Sequence, residues 1–198
     1  MRIVKLTQET EKNILENMLK RSPGQYGEYE SRVQEILARV KEQKDEAVFH
    51  YTKQFDRADI GPENVRVTGQ EIEEAYRQVD PELLQVMKKA LENIRSYHAL
   101  QKQNSWFEST EKGTMLGQKL TPLKTVGVYV PGGKAADPSS VLMNIVPAKV
   151  AGVDRIIMCT PCNVRGQVNP IVLAAAKEAG ADEIYKVGGA QAIGAMAY

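Results

Sequence analysis

A nine-residue pattern occurs twice in this chain. Ala148-Lys-Val-Ala-Gly-Val-Asp-Arg-Ile156 returns as Ala176-Lys-Glu-Ala-Gly-Ala-Asp-Glu-Ile184, 28 residues later. The shared Ala-Lys-x-Ala-Gly-x-Asp-x-Ile reads as the end of a helix, a glycine just past it, and entry into a strand. A helix plus a strand in each 28-residue unit is the length of a βαβ crossover, which joins parallel strands. The pattern predicts strands at 126–130, 155–159 and 183–187 and helices at about 138–151, 169–179 and 190–198. The strands are short and apolar and alternate with helices, as in a parallel sheet buried on both faces. Pro147 lies inside the first helix and is expected to kink it or break its hydrogen-bond ladder, because it has no N–H.

The first unit opens with Val126-Gly-Val-Tyr-Val-Pro-Gly-Gly-Lys134, followed by Ala-Ala-Asp-Pro-Ser-Ser-Val-Leu-Met143. Val126, Val128 and Val130 share one face of a strand, while Gly127 and Tyr129 take the other. Pro131 ends the strand, Gly132-Gly133 form a tight turn, and Asp137-Pro138 suits an N-cap and first helical position. A second strand–glycine–helix junction follows at Gly188-Gly189. In open α/β sheets such junctions line the carboxyl edge, where ligands bind. Taken as following neighbouring parallel strands, both loops are therefore expected to frame a crevice, with Tyr129 and Gln191 available to a nucleotide. A packed Tyr129 and a surface Gln191 stand beside that reading. Lys134 suits a phosphate, whereas the Asp137 carboxylate at a helix N-terminus competes with one.

The segment before residue 124 reads as helical. Ile3–Leu6 is expected to form a short strand or arm, and Thr7 to cap a helix with the stripe Ile14, Leu15, Met18 and Leu19, which closes at Arg21-Ser-Pro-Gly24. One long helix is expected from about Tyr26 to Phe55. Val65-Arg-Val67 offers a short strand. Thr68 and Glu71 form a capping box, and Asp80-Pro81 starts a helix running to about Gln103. Gly113–Leu120 alternates as a strand pair or hairpin. The expected fold class is α/β, with a helical region with short strands over 1–124 and an incomplete Rossmann-like parallel sheet with flanking helices over 125–198, its three strands left with open edges.

Net charge is +1 over 198 residues, so no global field favours nucleic acid or a membrane surface. No apolar run approaches the length of a membrane-spanning helix, and a cytoplasmic, soluble protein is expected. Cys159-Thr-Pro-Cys162 is a C-x-x-C. The first helix after it starts too late to lower a thiol pKa, and no second ligand pair is available for a zinc. His50 and His98 are the only histidines and lie at no ligand spacing. The residues alone describe a nucleotide-binding α/β unit without a visible nucleophile–base pair.

Val126-Gly-Val-Tyr-Val-Pro-Gly-Gly-Lys134, Pro138-Ser-Ser-Val-Leu-Met143, Val146-Pro-Ala-Lys-Val-Ala-Gly-Val153 and Val187-Gly-Gly-Ala-Gln-Ala-Ile193 together resemble histidinol dehydrogenase. Gln54-Phe-Asp56, Tyr97-His-x-x-Gln, Ser105-Trp and Pro122-Leu fit the same family. The resemblance covers essentially the whole chain, although family members are about twice as long and this chain looks like their N-terminal half. It implies a cytoplasmic, homodimeric, zinc-dependent and NAD-linked oxidoreductase. Such an enzyme oxidises L-histidinol to L-histidine through an aldehyde in the last steps of histidine biosynthesis. Tyr129 and Gln191 match the family's NAD-contacting tyrosine and glutamine. The zinc ligands and the catalytic Glu-His pair are expected beyond Tyr198, so no catalytic or metal residue is assigned here and the chain alone is expected to be inactive. A non-catalytic nucleotide-binding or interaction module on the same scaffold is the alternative, and a C-x-x-C redox protein a weaker one.

Overall fold

A computed structural model of the chain describes residues 7, 10, 27–132 and 137–198. The expected Ile3–Leu6 arm, the Ile14–Leu19 stripe with its Arg21–Gly24 break, and Gly133 and Lys134 lie outside these residues. Thr7 Oγ1 accepts a hydrogen bond from the Thr10 N–H at 3.2 Å, the cap expected at Thr7.

The fold is α/β. In chain order the elements are α1 Gly27–Gln43, α2 Asp45–Asp56, α3 Gly69–Gln78, α4 Pro81–Ala99, β1 Trp106–Ser109 and β2 Met115–Gln118. They continue with β3 Thr125–Tyr129, α5 Pro138–Ala151, β4 Arg155–Cys159, α6 Pro170–Ala179, β5 Glu183–Tyr185 and α7 Gly189–Ala197. β3, β4 and β5 form a parallel sheet in that order, with β4 in the centre. The repeat has the predicted geometry. Gly152 and Gly180 end α5 and α6 at φ 88° and 94°, and each N–H returns to the last helical turn. A side chain strains that left-handed backbone, so glycine there turns helix into strand twice at the same offset. The aspartate of the second copy ties the two units together. Asp182 Oδ2 accepts from the Ile156 N–H at 2.8 Å and from Lys149 Nζ at 3.0 Å.

Period-2 alternation divides the core. Val126, Val128, Val130, Ile156, Met158 and Ile184 face α5 and α6, with α3 and α4 packed outside them. Tyr129, Cys159 and Tyr185 form one row across the other face, under α1, α2 and α7. Two polar links anchor the outer helices to α6. The Tyr76 hydroxyl donates to Glu178 at 2.8 Å, and Lys88 Nζ lies 3.4 Å from the same carboxylate. α5 continues through Pro147 to Ala151, so the proline removes one bond without ending the helix.

Three expectations change. The Tyr26–Phe55 helix is two helices, because the backbone turns at Lys44 (φ 52°, ψ −130°). The turn brings Val40 of α1 and Ala47, Val48 and Tyr51 of α2 into the same core cluster, which one straight helix would not. The hairpin's first strand is Trp106–Ser109, paired antiparallel with Met115–Gln118. The outer side of β5 is also not open. Val67 N–H donates to Ile184 O at 2.9 Å and Lys186 N–H to Val65 O at 2.8 Å, so 65–67 covers that edge as an isolated antiparallel bridge.

Lys44 occupies a region of backbone space that only glycine enters without strain, costing a side-chain-bearing residue about 1–3 kcal/mol. Lys44→Gly should therefore stabilise the chain by about 1 kcal/mol after the added unfolded-state entropy of glycine. That corresponds to a rise of roughly 2–4 °C in melting temperature for a chain of this length. An unchanged or lower midpoint in a thermal melt would count against the strain.

Candidate functional site

The carboxyl ends of β3, β4 and β5 bring three loops together. The ladder continues past the strands, with Val130 N–H donating to Cys159 O at 2.9 Å and Thr160 N–H to Tyr185 O at 3.1 Å. The two glycine junctions do not follow neighbouring strands, since β4 lies between β3 and β5. Pro161, in the loop after β4, fills the space between them. A Cβ added to Gly132 would lie 2.5 Å from Pro161 Cγ, and one added to Gly188 would lie 2.6 Å from Pro161 Cβ. Both contacts are far shorter than van der Waals separation, so glycine is required for close approach on either side of the proline.

Tyr129 reaches across this edge. Its hydroxyl accepts a hydrogen bond from the Gly189 N–H at 3.1 Å, which joins the end of β3 to the first residue of α7, beyond β4. Gln191 lies in the first turn of α7 and is fully buried, at 0% exposure; it is not a surface residue. Neither its Oε1 nor its Nε2 has a hydrogen-bond partner among the described residues. Leaving a buried amide unpaired costs about 1–3 kcal/mol, and such a group stands ready to bond to a ligand that carries both a donor and an acceptor. These two side chains therefore fit a nicotinamide cofactor, which carries hydroxyl and carboxamide groups of that kind.

Asp137 behaves as the sequence suggests. Its carboxylate accepts from Ser139 Oγ at 2.6 Å, Ser140 Oγ at 2.5 Å and Ser140 N–H at 3.1 Å. The hydrogen bonds from Ser139 and Ser140 hold its pKa down at about 2. An ionised carboxylate therefore occupies the N-terminus of α5 and disfavours an anion there.

A cavity of about 830 Å³ opens beside Gly132 and Pro161, between α3 and the loop that follows β4. Asp56, Glu71, Cys162 and Asn163 are among its lining residues. Tyr129 and Gln191 are not among them, so this cavity does not contain the two side chains. Asp56 Oδ2 is buried without a partner among the described residues, and burial raises the Asp56 pKa. Burial pushes Cys159 up to about 11, and Cys162 is raised by burial and then by the Asp56 carboxylate. Both are free, buried thiols, which is the reverse of an activated redox cysteine. His98 Nδ1 pairs with Gln101 Oε1 at 2.7 Å, and the exposed His50 stacks edge-on against Tyr51. Among the described residues no three His, Cys, Asp or Glu side chains converge on a point that could hold a metal ion.

The residue the sequence hides is Lys186. It is buried at 5% exposure, and its ammonium lies 2.5 Å from Glu71 Oε1. Glu71 also closes the α3 capping box, accepting at Oε2 from Thr68 N–H at 2.8 Å. The capping half was legible from Thr68-x-x-Glu71. The lysine half needed the fold, because 115 residues separate the partners.

The histidinol dehydrogenase family model matches residues 19–198. Among curated proteins, histidinol dehydrogenase of Heliobacterium mobile is 54% identical over 84% of this chain and 39% of its own length. That of Bacillus subtilis (strain 168) is 54% identical over 86% of this chain and 40% of its own. The crystal structure of histidinol dehydrogenase from Elizabethkingia anophelis superposes with a TM-score of 0.78 at 40% identity, covering 84% of this chain and 38% of that one. The chain thus spans about two fifths of the length of these relatives.

Removing the Glu71 carboxylate leaves Lys186 buried and unpaired. Glu71→Gln should cost roughly 1–3 kcal/mol, less than the ~3–5 of a fully buried pair, because the Glu71 side chain is 34% exposed. Burial by itself would raise the Glu71 pKa, but the hydrogen bonds from Lys186 and Thr68 outweigh it and lower it from 4.5. A depressed folded-state pKa gives stability that is present above the unfolded value and is lost as pH falls through the folded one. Denaturant melts of the unaltered chain should therefore weaken below about pH 4.5, with a shallower decline in Glu71→Gln. Parallel profiles for the two proteins would argue against the pairing.

Proposed function

This chain belongs to the histidinol dehydrogenase family, and we propose that it supplies the cofactor side of an NAD-linked, zinc-dependent oxidation of L-histidinol to L-histidine. The reaction passes through an aldehyde and belongs to the last steps of histidine biosynthesis. When bound, the dinucleotide supplies a hydride acceptor. The observation that carries the reading is that Tyr129 bonds the N–H of Gly189 at the start of α7, two residues before Gln191, whose buried amide has no partner among the described residues. Tyr129 offers a hydroxyl fixed against α7, and Gln191 offers one donor and one acceptor in a site shielded from water, where each bond is stronger than in bulk.

The zinc ligands and the acid–base pair of the reaction come from polypeptide outside these 198 residues, so this chain binds the cofactor without completing the chemistry. The protein works in the cytoplasm as a homodimer. Support for association comes from the β1–β2 ribbon, where Trp106, Phe107, Met115 and Leu116 are all more than half exposed. A two-stranded ribbon gains little stability without a packing partner. No helix among the described residues is long and apolar enough to cross a membrane.

Calorimetry with NAD tests the cofactor assignment. Tyr129→Phe should weaken binding by about 0.5–1.5 kcal/mol, and Gln191→Ala by at least as much, since it removes two hydrogen-bonding groups. Undiminished affinity in both variants would remove both residues from the site. The second expectation is that the purified 198-residue chain produces no NADH from L-histidinol with zinc present. Zinc-dependent turnover by the chain alone would overturn it.

A further inference from the structure

We infer that Gly189 is a positioning residue that sets both proposed cofactor side chains at once. The inference rests on the reading of Tyr129 and Gln191 as cofactor contacts. It deepens that reading by naming the group through which they act. Three features converge on this residue. Its N–H donates to the Tyr129 hydroxyl at 3.1 Å and so fixes the far end of that ring. Its backbone is left-handed, at φ 64°, which places the N–H at the start of α7 in a conformation that L side chains rarely adopt. A Cβ at this position would also lie 2.6 Å from Gln191 Oε1 and 3.3 Å from Nε2.

The third feature distinguishes Gly189 from an ordinary turn glycine. The atom that would have to give way is the amide oxygen, part of the polar group that has no hydrogen-bond partner among the described residues. Gln191 is fully buried, so its side chain has no solvent-facing space to swing into. Any β-carbon at 189 displaces the Gln191 amide while it disturbs the turn that holds Tyr129. Gly152 provides the comparison. It also has a positive φ, 88°, but it lies at the amino edge of the sheet, and an added Cβ there meets nothing closer than Pro122 Cγ at 3.6 Å. Gly152→Ala therefore carries the backbone strain without the contact.

The experiment uses the 15N-labelled 198-residue chain, unaltered and as Gly189→Ala and Gly152→Ala. It reads NMR spectra, melting temperature and NAD affinity. Gly189→Ala should shift the Gln191 side-chain amide and Tyr129 ring resonances and weaken NAD binding tenfold or more. Gly152→Ala should lower the melting temperature through its backbone strain while leaving those resonances and the affinity unchanged. Unmoved Gln191 and Tyr129 resonances in Gly189→Ala overturn the inference whatever NAD does, as does an affinity loss no larger than that of Gly152→Ala. If the unaltered chain does not bind NAD and yet both resonances shift in Gly189→Ala, the cofactor reading falls and the positioning by Gly189 stands.

Discussion

A parallel sheet of three short strands has two apolar faces, and both must be kept from water. That requirement organises the molecule. The crossover helices α5 and α6 cover one face, and α7 lies on the other. The preceding helices complete the cover, with α3 and α4 outside α5 and α6 and with α1 and α2 against α7. The alternation along β3 shows how a sequence of period 2 serves this arrangement. Its valines enter one core while Tyr129 enters the other, so the residue with a functional handle lies on the face where α7 begins. Burial of the sheet and placement of Tyr129 follow from the same pleat.

The carboxyl edge owes its geometry to close packing. Pro161 sits against Gly132 on one side and Gly188 on the other, so each loop limits the movement of the next. Tyr129 crosses from β3 to α7, and the Lys186–Glu71 pair ties the loop after β5 to the start of α3. Side chains at this edge are thus held by neighbours that cannot repack independently. The Gln191 amide, which has no hydrogen-bond partner among the described residues, sits within that close-packed surround. A buried polar group without a partner is costly in a stable fold, and the proposed cofactor contact would offset that cost.

Local chemistry was readable wherever a few adjacent residues decide the conformation. The Thr68–Glu71 capping box, the Asp80-Pro81 and Asp137-Pro138 helix starts, and the repeated glycine stops each complete a hydrogen bond or backbone angle within four or five residues. The turn at Lys44 had no such sign. Neither glycine nor proline marks it, and its cause is the need for α1 and α2 to reach one core from different directions. The cover on β5 was equally hidden, because the 65–67 segment is far in sequence from the strand it bonds. Tyr129 and Gln191 were singled out by their motifs. Whether they were exposed, buried or bonded was not readable, because each answer depends on an element elsewhere in the chain.

The sequence by itself determined the α/β class, the parallel strand direction implied by a 28-residue helix–strand repeat, and the family to which the motifs point. These follow from periodicity, glycine and proline placement, and caps, all of which act over short range. Only the tertiary structure decided that Pro161 separates the two glycine junctions and that Lys186 answers Glu71. It also decided that Gln191 is sealed from solvent and that Gly189 holds the ground between it and Tyr129. Those facts come from packing between segments distant in the chain, where one side chain's environment is made by atoms that its neighbours in sequence do not supply.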